Sequence, residues 1–356
     1  MSGKNDPGPA RVPAARLQSF ITRAFETAGL PATDAAVLGE LMTKADLSGA
    51  DGHGVFRLPQ YVRRIKTGGI NKRPDIRILQ ERDGTALVDG DNGMGHLVMR
   101  FAAETAIAKA KRTGVAWVGA RMSNHAGPAS LYAAMPLAHD MIGLYLAVGN
   151  ANHLPPWGGT EMLLSTNPIA VAVPTQEEPP VVLDMATTVA AYGKVKTAAQ
   201  RGEMMPEGWM VDREGKPLRD PKRADDGFLL PIGGYKGYAL SLIFGLLAGT
   251  LNGAAMGRGI VDFNKDETTP TNTGQAIMAI AVEAFAPVAA FKRQVDEVAR
   301  TMRSSPRMPG VERIWLPGEQ SHLKRLDRTK NGIPLPAPLR QSLDKLSDEL
   351  KVERLL

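Results

Sequence analysis

The sequence predicts an α/β protein in two units, a helical unit built from the N-terminal segment and the C-terminal tail, and a β-rich middle. Three observations carry this. Helical periodicity dominates residues 14–75 and returns in the tail. Short apolar runs bounded by turn residues are concentrated in 76–319. The two textures lack the strict strand–helix alternation of a doubly wound parallel sheet. The units implied are therefore 14–75 plus 320–356, and 76–319, after a Pro/Gly-rich segment, 1–13, expected to be disordered.

The elements follow in order. "AARLQSFITRAFETAGL" sets Leu17, Phe20, Ile21, Ala24 and Phe25 at helical spacing and stops at Gly29. "TDAAVLGELMTKADLSG" restarts on a Thr/Asp cap, and "LPQYVRRIKTGG" is a short helix that Pro59 must begin or kink. Two β-like runs then flank a turn at Asp83-Gly84, and "LVMRFAAETAIAKAKRTG" is an Ala-rich amphipathic helix. The strand "VAWVGA" leads to the polar loop "RMSNHAGP", which feeds another helix. "MIGLYLAVGN", "NPIAVAVP" and "PPVVLDMA" are strand candidates joined by polar loops, and "AIMAIAVEAF" is a later one. "GYKGYALSLIFGLLAGTLNG", the most hydrophobic helix, is expected to be buried on most faces, and "RQSLDKLSDELKVERLL" closes the chain as an amphipathic helix.

Bulk properties exclude several classes. At 356 residues, 43% hydrophobic and 22% charged, the chain has the composition of a globular protein. Its 43 basic and 37 acidic residues are interleaved, so the net charge of +6 mildly favours anionic small molecules and supplies no concentrated patch for nucleic acid. The absence of cysteine removes disulfides, thiolate nucleophiles and thiolate metal sites, and is compatible with a cytoplasmic protein. No apolar run has signal-peptide or membrane-span character, so no membrane attachment is expected.

Several catalytic signatures fail on spacing. Counted from Gly93 in "VDGDNGMGHL", the third glycine of a dinucleotide fingerprint falls on Val98, so the run reads as a turn. Walker, H-E-x-x-H, EF-hand and G-x-S-x-G patterns are absent, and no metal site is supported. "GGYKGYAL" is different: Lys236 stands between glycines at the mouth of a helix, either as part of a phosphate site or as a solvated loop residue. His125 in "MSNHAGP" is either an active-site imidazole or a member of a loop network. His96, His139, His153 and His322 read as structural or surface residues.

"GADGHGVFRLPQY" places His53 between two glycines and Arg57 four residues on. An imidazole gives and takes protons near neutrality, and a guanidinium matches a carboxylate in two parallel hydrogen bonds. On a helix the two would share a face and serve an acid substrate together; the alternative is a capping histidine beside an arginine in a surface ion pair.

In order, these segments resemble the second malate/L-lactate dehydrogenase family, unrelated to the Rossmann-type enzymes of similar name. The matching stretches are "DGHGVFRLPQYV", "VDGDNGMGH", "SNHAG", "PPWGG", "STNPIAVAVP", "VLDMATTVAAYGKV", "PEGWMVDREGKPLRDP", "LLPIGGYKGYALS", "LPGEQ" and "NGIPLP", spread from Leu17 to Leu346. The resemblance implies a non-Rossmann NAD(P)-binding fold with a mixed, largely antiparallel sheet in 76–319, a substrate-binding helical unit, and a homodimer. It implies His53 and His125 as the acid/base candidates and Arg57 as the carboxylate ligand. It also implies NAD or NADP contacts from Asp184, Met185, Ala186, Thr187, Thr188, Lys236, Gly237, Gly318 and Glu319.

The expected activity is interconversion of a small 2-hydroxy acid and its 2-oxo acid by hydride transfer. A cyclic imino-acid reductase and a catalytically weakened nucleotide-binding protein are the alternatives. Three departures from the family pattern stand out: Gly52 replaces the serine before the first histidine, Ala126 replaces an aromatic, and Gly149-Asn150-Ala151 replaces Thr-Asn-Ser.

Overall fold

The computed structural model describes residues 10–356. Strand β1 (Ala10–Val12) precedes helices α1 (Ala14–Thr27), α2 (Ala32–Leu47) and α3 (Leu58–Thr67). The hairpin β2 (Arg77–Arg82) and β3 (Thr85–Asp89) leads to α4 (Gly95–Thr113) and β4 (Val115–Ser123). A short helix α5 (Ser130–Ala133) is followed by β5 (Met141–Ala147), β6 (Ile169–Val173), β7 (Val181–Met185) and α6 (Tyr192–Arg201). Next come β8 (Met210–Asp212), β9 (Gly227–Leu229), α7 (Tyr235–Ala248) and β10 (Thr273–Ala281). Helices α8 (Val288–Ser304) and α9 (Glu319–Asn331), strand β11 (Ile333–Leu335) and helix α10 (Ala337–Leu350) complete the chain.

Seven strands form one sheet in the order β2-β3-β4-β10-β5-β6-β7. Only β3 and β4 run parallel; every other neighbouring pair is antiparallel. The parallel pair needs a crossover, and α4 supplies it, lying across β3, β4 and β10. Its alanines at 102, 103, 106 and 110 are fully buried, which lets the helix axis approach the sheet closely. Alternation along β5 divides the sheet faces: Tyr145 and Ala147 join the core under α4, while Leu144, Leu146 and Val148 join the one under α7.

A second core unites the two ends of the chain. Leu17, Phe20, Phe25, Leu38 and Tyr61 pack with Ile333, Leu335, Leu343 and Leu346, and α10 rests on α1 and α3. Each such side chain contributes about 1.5–3 kcal/mol relative to exposure.

Two expectations need correction. Of the segment 1–13 expected to be disordered, residues 1–9 lie outside the described residues, but Ala10–Val12 pair antiparallel with β11 and Val12 is fully buried. The tail thus provides the edge that orders this strand. Helix α7 is not buried on most faces. Its buried residues are the small Gly237, Ser241, Gly245 and Ala248, whereas Leu240, Ile243, Leu246 and Leu247 are exposed. Small side chains at helical spacing bring this helix against the sheet, and the bulky apolar ones point away from it.

Candidate active site

The loop after α2 carries His53, and it is pinned from below. Val55 N donates to Asp46 Oδ2 at 2.8 Å, and Arg328 of α9 bonds the Asp46 carbonyl and the Asp51 carboxylate. Burial pushes the Asp46 carboxyl up to about 8. A Cβ at Gly54 would sit 2.1 Å from Asp46 Oδ1, so only glycine lets the loop close onto this carboxyl. At Gly52 nothing lies within 4 Å of an added Cβ. The segment is not helical at His53, so His53 and Arg57 do not share a helical face. His53 lies in a turn, Val55–Arg57 make a single 3₁₀ turn, and Arg57 curls back so that Nε donates to Gly52 O at 3.0 Å. The glycines on both sides of His53 favour that turn over a helix.

The loop leaving β4 sets His125 against His53, with ring centroids 5.5 Å apart and planes 12° apart. Phe263 covers the other side of His125 at 5.2 Å and 6°. The Tyr61 hydroxyl, delivered by α3, lies 2.5 Å from His125 Nδ1, and Gly127 N–H donates weakly to the same nitrogen at 3.4 Å. A hydroxyl both donates and accepts, so Tyr61 serves either tautomer of the ring. His96, from α4, meets the Tyr61 ring edge-on at 5.7 Å; it is fully buried, and neither of its ring nitrogens has a partner among the described residues.

Burial lowers all three imidazole pKa values, to about 4 for His53 and about 3 for His96, and well below the ordinary value for His125. The Arg57 cation adds to the effect on His53 and His125. The rings are therefore neutral at pH 7. Ser123 and Asn124 brace the loop: Ser123 Oγ donates to Gln275 Oε1 at 2.6 Å, and Asn124 Nδ2 donates to Gly93 O at 3.0 Å. The glycine run at 90–95 is thus the turn beneath His125.

Helix α3 also fixes the segment bearing Phe263. Gln60 Nε2 donates to Phe263 O at 2.9 Å, Arg64 Nη2 donates to Thr269 O at 2.8 Å, and Arg63 pairs with Glu267 at 2.7 Å. Arg57 lies with its guanidinium 5.4 Å from the Phe263 ring centroid, and Nη1 donates to Gln60 Oε1 at 2.8 Å. It forms no ion pair among the described residues. The surface-ion-pair alternative therefore does not describe it.

The residues expected at the cofactor gather along β7 and its continuation. Asp184 and Met185 end the strand, and Asp184 Oδ2 accepts from Ser130 N at 2.9 Å, tying β7 to the His125 loop. Beyond Ala186, Thr187 donates through N and Oγ1 to Thr166 O, both at 2.9 Å, and accepts from Ile232 N at 2.9 Å. Thr188 Oγ1 bonds Ala190 O. The Ile232 bond brings the start of α7 alongside. There Lys236 is exposed, with no ion pair among the described residues, and Gly237 is buried against Ile232. Gly318, at φ 86°, packs on Val182 of β7. The Glu319 side chain is already engaged, accepting hydrogen bonds from Arg313 at 2.6 Å and Leu316 N at 3.2 Å and pairing ionically with Arg303 at 3.1 Å.

Tyr61, His96, Phe263, Asn264 and Lys196 stand in or beside this site, and local spacing marks none of them as functional. Tyr61 lies inside the His53 stretch, and His96 reads as structural; the other three sit in segments with no distinguishing spacing. No three His, Asp or Glu side chains among the described residues form a metal-binding group, and no described helix is long and apolar enough to cross a membrane.

Known proteins match along nearly the whole chain. The family model for malate/L-lactate dehydrogenase matches residues 12–344. A malate dehydrogenase from Pyrococcus horikoshii is 38% identical over 354 residues, covering 97% of both chains. The solved structure of malate dehydrogenase from P. horikoshii OT3 has a TM-score of 0.89 at 36% identity and 99% coverage of each chain. An L-sulfolactate dehydrogenase from Methanocaldococcus jannaschii is 38% identical over 90% of this chain and 92% of its own. A pyrroline-2-carboxylate/piperideine-2-carboxylate reductase from Pseudomonas putida is 32% identical over 97% and 99%.

Proposed function

We infer the activity from one premise: the chain belongs to the malate/L-lactate dehydrogenase family. It is an oxidoreductase acting on CH–OH, and we propose that it interconverts a small 2-hydroxy acid and its 2-oxo acid with NAD or NADP. The observation that carries this reading is the stacked His53–His125 pair beside an arginine that has no ion-pair partner among the described residues.

Arg57 holds the substrate carboxylate through Nη2, the guanidinium nitrogen with no hydrogen bond among the described residues. In the tautomer that donates Nδ1–H to the Tyr61 hydroxyl, His125 takes the substrate hydroxyl proton on Nε2 during oxidation and returns it during reduction. As the ring becomes imidazolium, its Nδ1–H donates to the Tyr61 hydroxyl, and the carboxylate on Arg57 offsets the repulsion that opposes protonation. His53 is the second candidate for this proton; the Tyr61 bond favours His125. Phe263 and the stacked rings keep water from the reacting carbon.

The β7 edge fits a nicotinamide dinucleotide. Gly233 and Gly234, at φ 58° and 64°, open the first turn of α7, whose N–H groups and exposed Lys236 suit phosphate. Asp184 to Thr188, Gly237 and Gly318 line the approach; Glu319 supports the turn through its arginines and offers backbone alone. The cofactor, when bound, supplies or accepts the hydride. The exposed apolar face of α7 supports a homodimer that covers it.

The P. putida relative supports a second reading, reduction of a cyclic imine, in which the same imidazole protonates nitrogen. NADH and NADPH, each assayed at 340 nm against 2-oxo acids and cyclic imines, separate the two. Cofactor binding with no turnover of either class sinks both and leaves a nucleotide-binding protein.

A further inference from the structure

The His53 ring stacks on His125 but makes no hydrogen bond of its own among the described residues; only its backbone N–H is engaged, donating to Ala50 O at 2.8 Å. Gly52 and Gly54, on either side, have no side chain to hold it. The placement of the ring against His125 is therefore set through the backbone of the loop.

One side chain from the C-terminal part of the chain grips that backbone. Arg328 of α9 is buried; Nη1 donates both to the carbonyl of Asp46, in the last turn of α2, and to Asp51 Oδ1, while Nη2 donates to Asp51 Oδ2 at 3.2 Å. The guanidinium fork thus ties the end of α2 to the residue two positions before His53. A cation at a helix C-terminus also meets the negative end of the helix dipole. Asp46 closes the loop from its other end, because Oδ2 accepts from Val55 N at 2.8 Å.

Helix α9 is in turn fixed to the sheet. Val182 N of β7 donates to Pro317 O at 3.0 Å, and Gly318 packs on Val182 just before the helix begins. Arg328 follows Glu319 by nine positions, a rise of about 14 Å. Beside it, Asp327 pairs with Arg11 of β1 at 2.9 Å, so the helix is held at both ends. His53 comes from the N-terminal helices and His125 from the loop after β4. Their stacking requires these two parts to stay in register, and α9 touches both.

We propose that Arg328 is a positioning residue of the reaction: through Asp46 and Asp51 it sets the His53 turn, and with it the ring, against His125. This rests on the stacked pair as the proton-transfer site of the reaction proposed above.

The test compares wild type, Arg328→Met, Arg328→Lys and Asp51→Asn in malate oxidation. The Asp51 side chain is 64% exposed, so Asp51→Asn loosens the grip without opening the core. Arg328→Met should lower kcat roughly 10- to 100-fold, the scale of a misplacement of up to about 1 Å, with cofactor KM unchanged. Arg328→Lys and Asp51→Asn should lose less. In a His53→Asn background, Arg328→Met should cost less than it does beside an intact His53, because both changes spoil one placement. Equal losses in the two backgrounds overturn the proposal and assign Arg328 to general packing. Wild-type kcat in both Arg328→Met and Asp51→Asn overturns it as well.

A second readout needs no turnover. In the full chain carrying isotope-labelled histidine, the ring signals of His53 and His125 are assigned by their loss in His53→Asn and His125→Asn. Both should shift in Arg328→Met and in Asp51→Asn, while the signal of His139, outside the site, stays in place. Unshifted His53 and His125 signals overturn the proposal. Shifted signals in an enzyme inert to every hydroxy acid refute the activity and leave Arg328 as the brace of the His53 turn.

Discussion

The Tyr61 hydroxyl lies 2.5 Å from Nδ1 of His125, on a ring held between His53 and Phe263. This bond orients the imidazole and receives its Nδ1–H when the ring is charged. Tyr61→Phe keeps the buried ring and removes only the oxygen. It should lower kcat roughly 10- to 100-fold, the worth of a hydrogen bond to a charged group, with little change in substrate KM. Steady-state kinetics on malate decide this, and an unchanged kcat removes Tyr61 from the proton path.

The two stacked histidines can be separated by substitution. His125→Asn should cost about 10²–10⁴-fold in kcat, the range of general acid–base catalysis, and His53→Asn less. A reversed ranking moves the proton to His53, and full kcat in both variants refutes the mechanism.

Because burial lowers the imidazole pKa values, that of His53 to about 4 and that of the proposed base, His125, well below its ordinary value, the proposed base stays neutral as pH falls through 6.5. The kcat/KM for oxidation should therefore remain flat from pH 7 to 5, whereas an unperturbed histidine would lose activity near 6.5. Stability follows the same sign. The unfolded chain protonates His53 first as pH falls, so its contribution is complete above 6.5 and lost on the way to 4. Urea unfolding at pH 7 and pH 5 should show a smaller acid loss in His53→Asn than in wild type.

The two glycines beside His53 should behave oppositely. Gly52 has open space around an added Cβ, so Gly52→Ser should change stability by no more than about 0.5 kcal/mol. Gly54 faces the Asp46 carboxyl, and Gly54→Ala should cost about 1–3 kcal/mol through overpacking and displace the loop. Denaturant unfolding with kcat measured in parallel checks both.

A homodimer built on α7 should be sensitive to charge at its centre. Ile243→Lys places an ammonium on the exposed apolar face and should shift the mass measured by light scattering from two chains to one. A wild type that runs as a monomer disproves the dimer outright.

Much of the scaffold was legible because its signals are local. Short apolar runs between polar loops mark β5, β6 and β7, helical spacing marks α1 and α10, and Asp83-Gly84 marks the β2–β3 hairpin. Motif order along the chain was enough to reach the family, and with it His53, Arg57, His125 and the β7 residues. Local patterning misread α7, because hydrophobicity alone does not say which face a helix turns to its own sheet.

The rest of the site exists only in three dimensions. Phe263 stands against His125 from 138 positions away because α3 ties down its segment through Gln60, Arg63 and Arg64. Lys196 and Arg57 share Asn264 although they come from separate parts of the chain. Sequence order carries residue types and local geometry, hence the chemistry on offer: an imidazole, a guanidinium and a lysine between glycines. Which side chain bonds His125 Nδ1, and which second cation stands beside Arg57, depended on long-range packing, because only packing sets distances between segments that no local spacing connects.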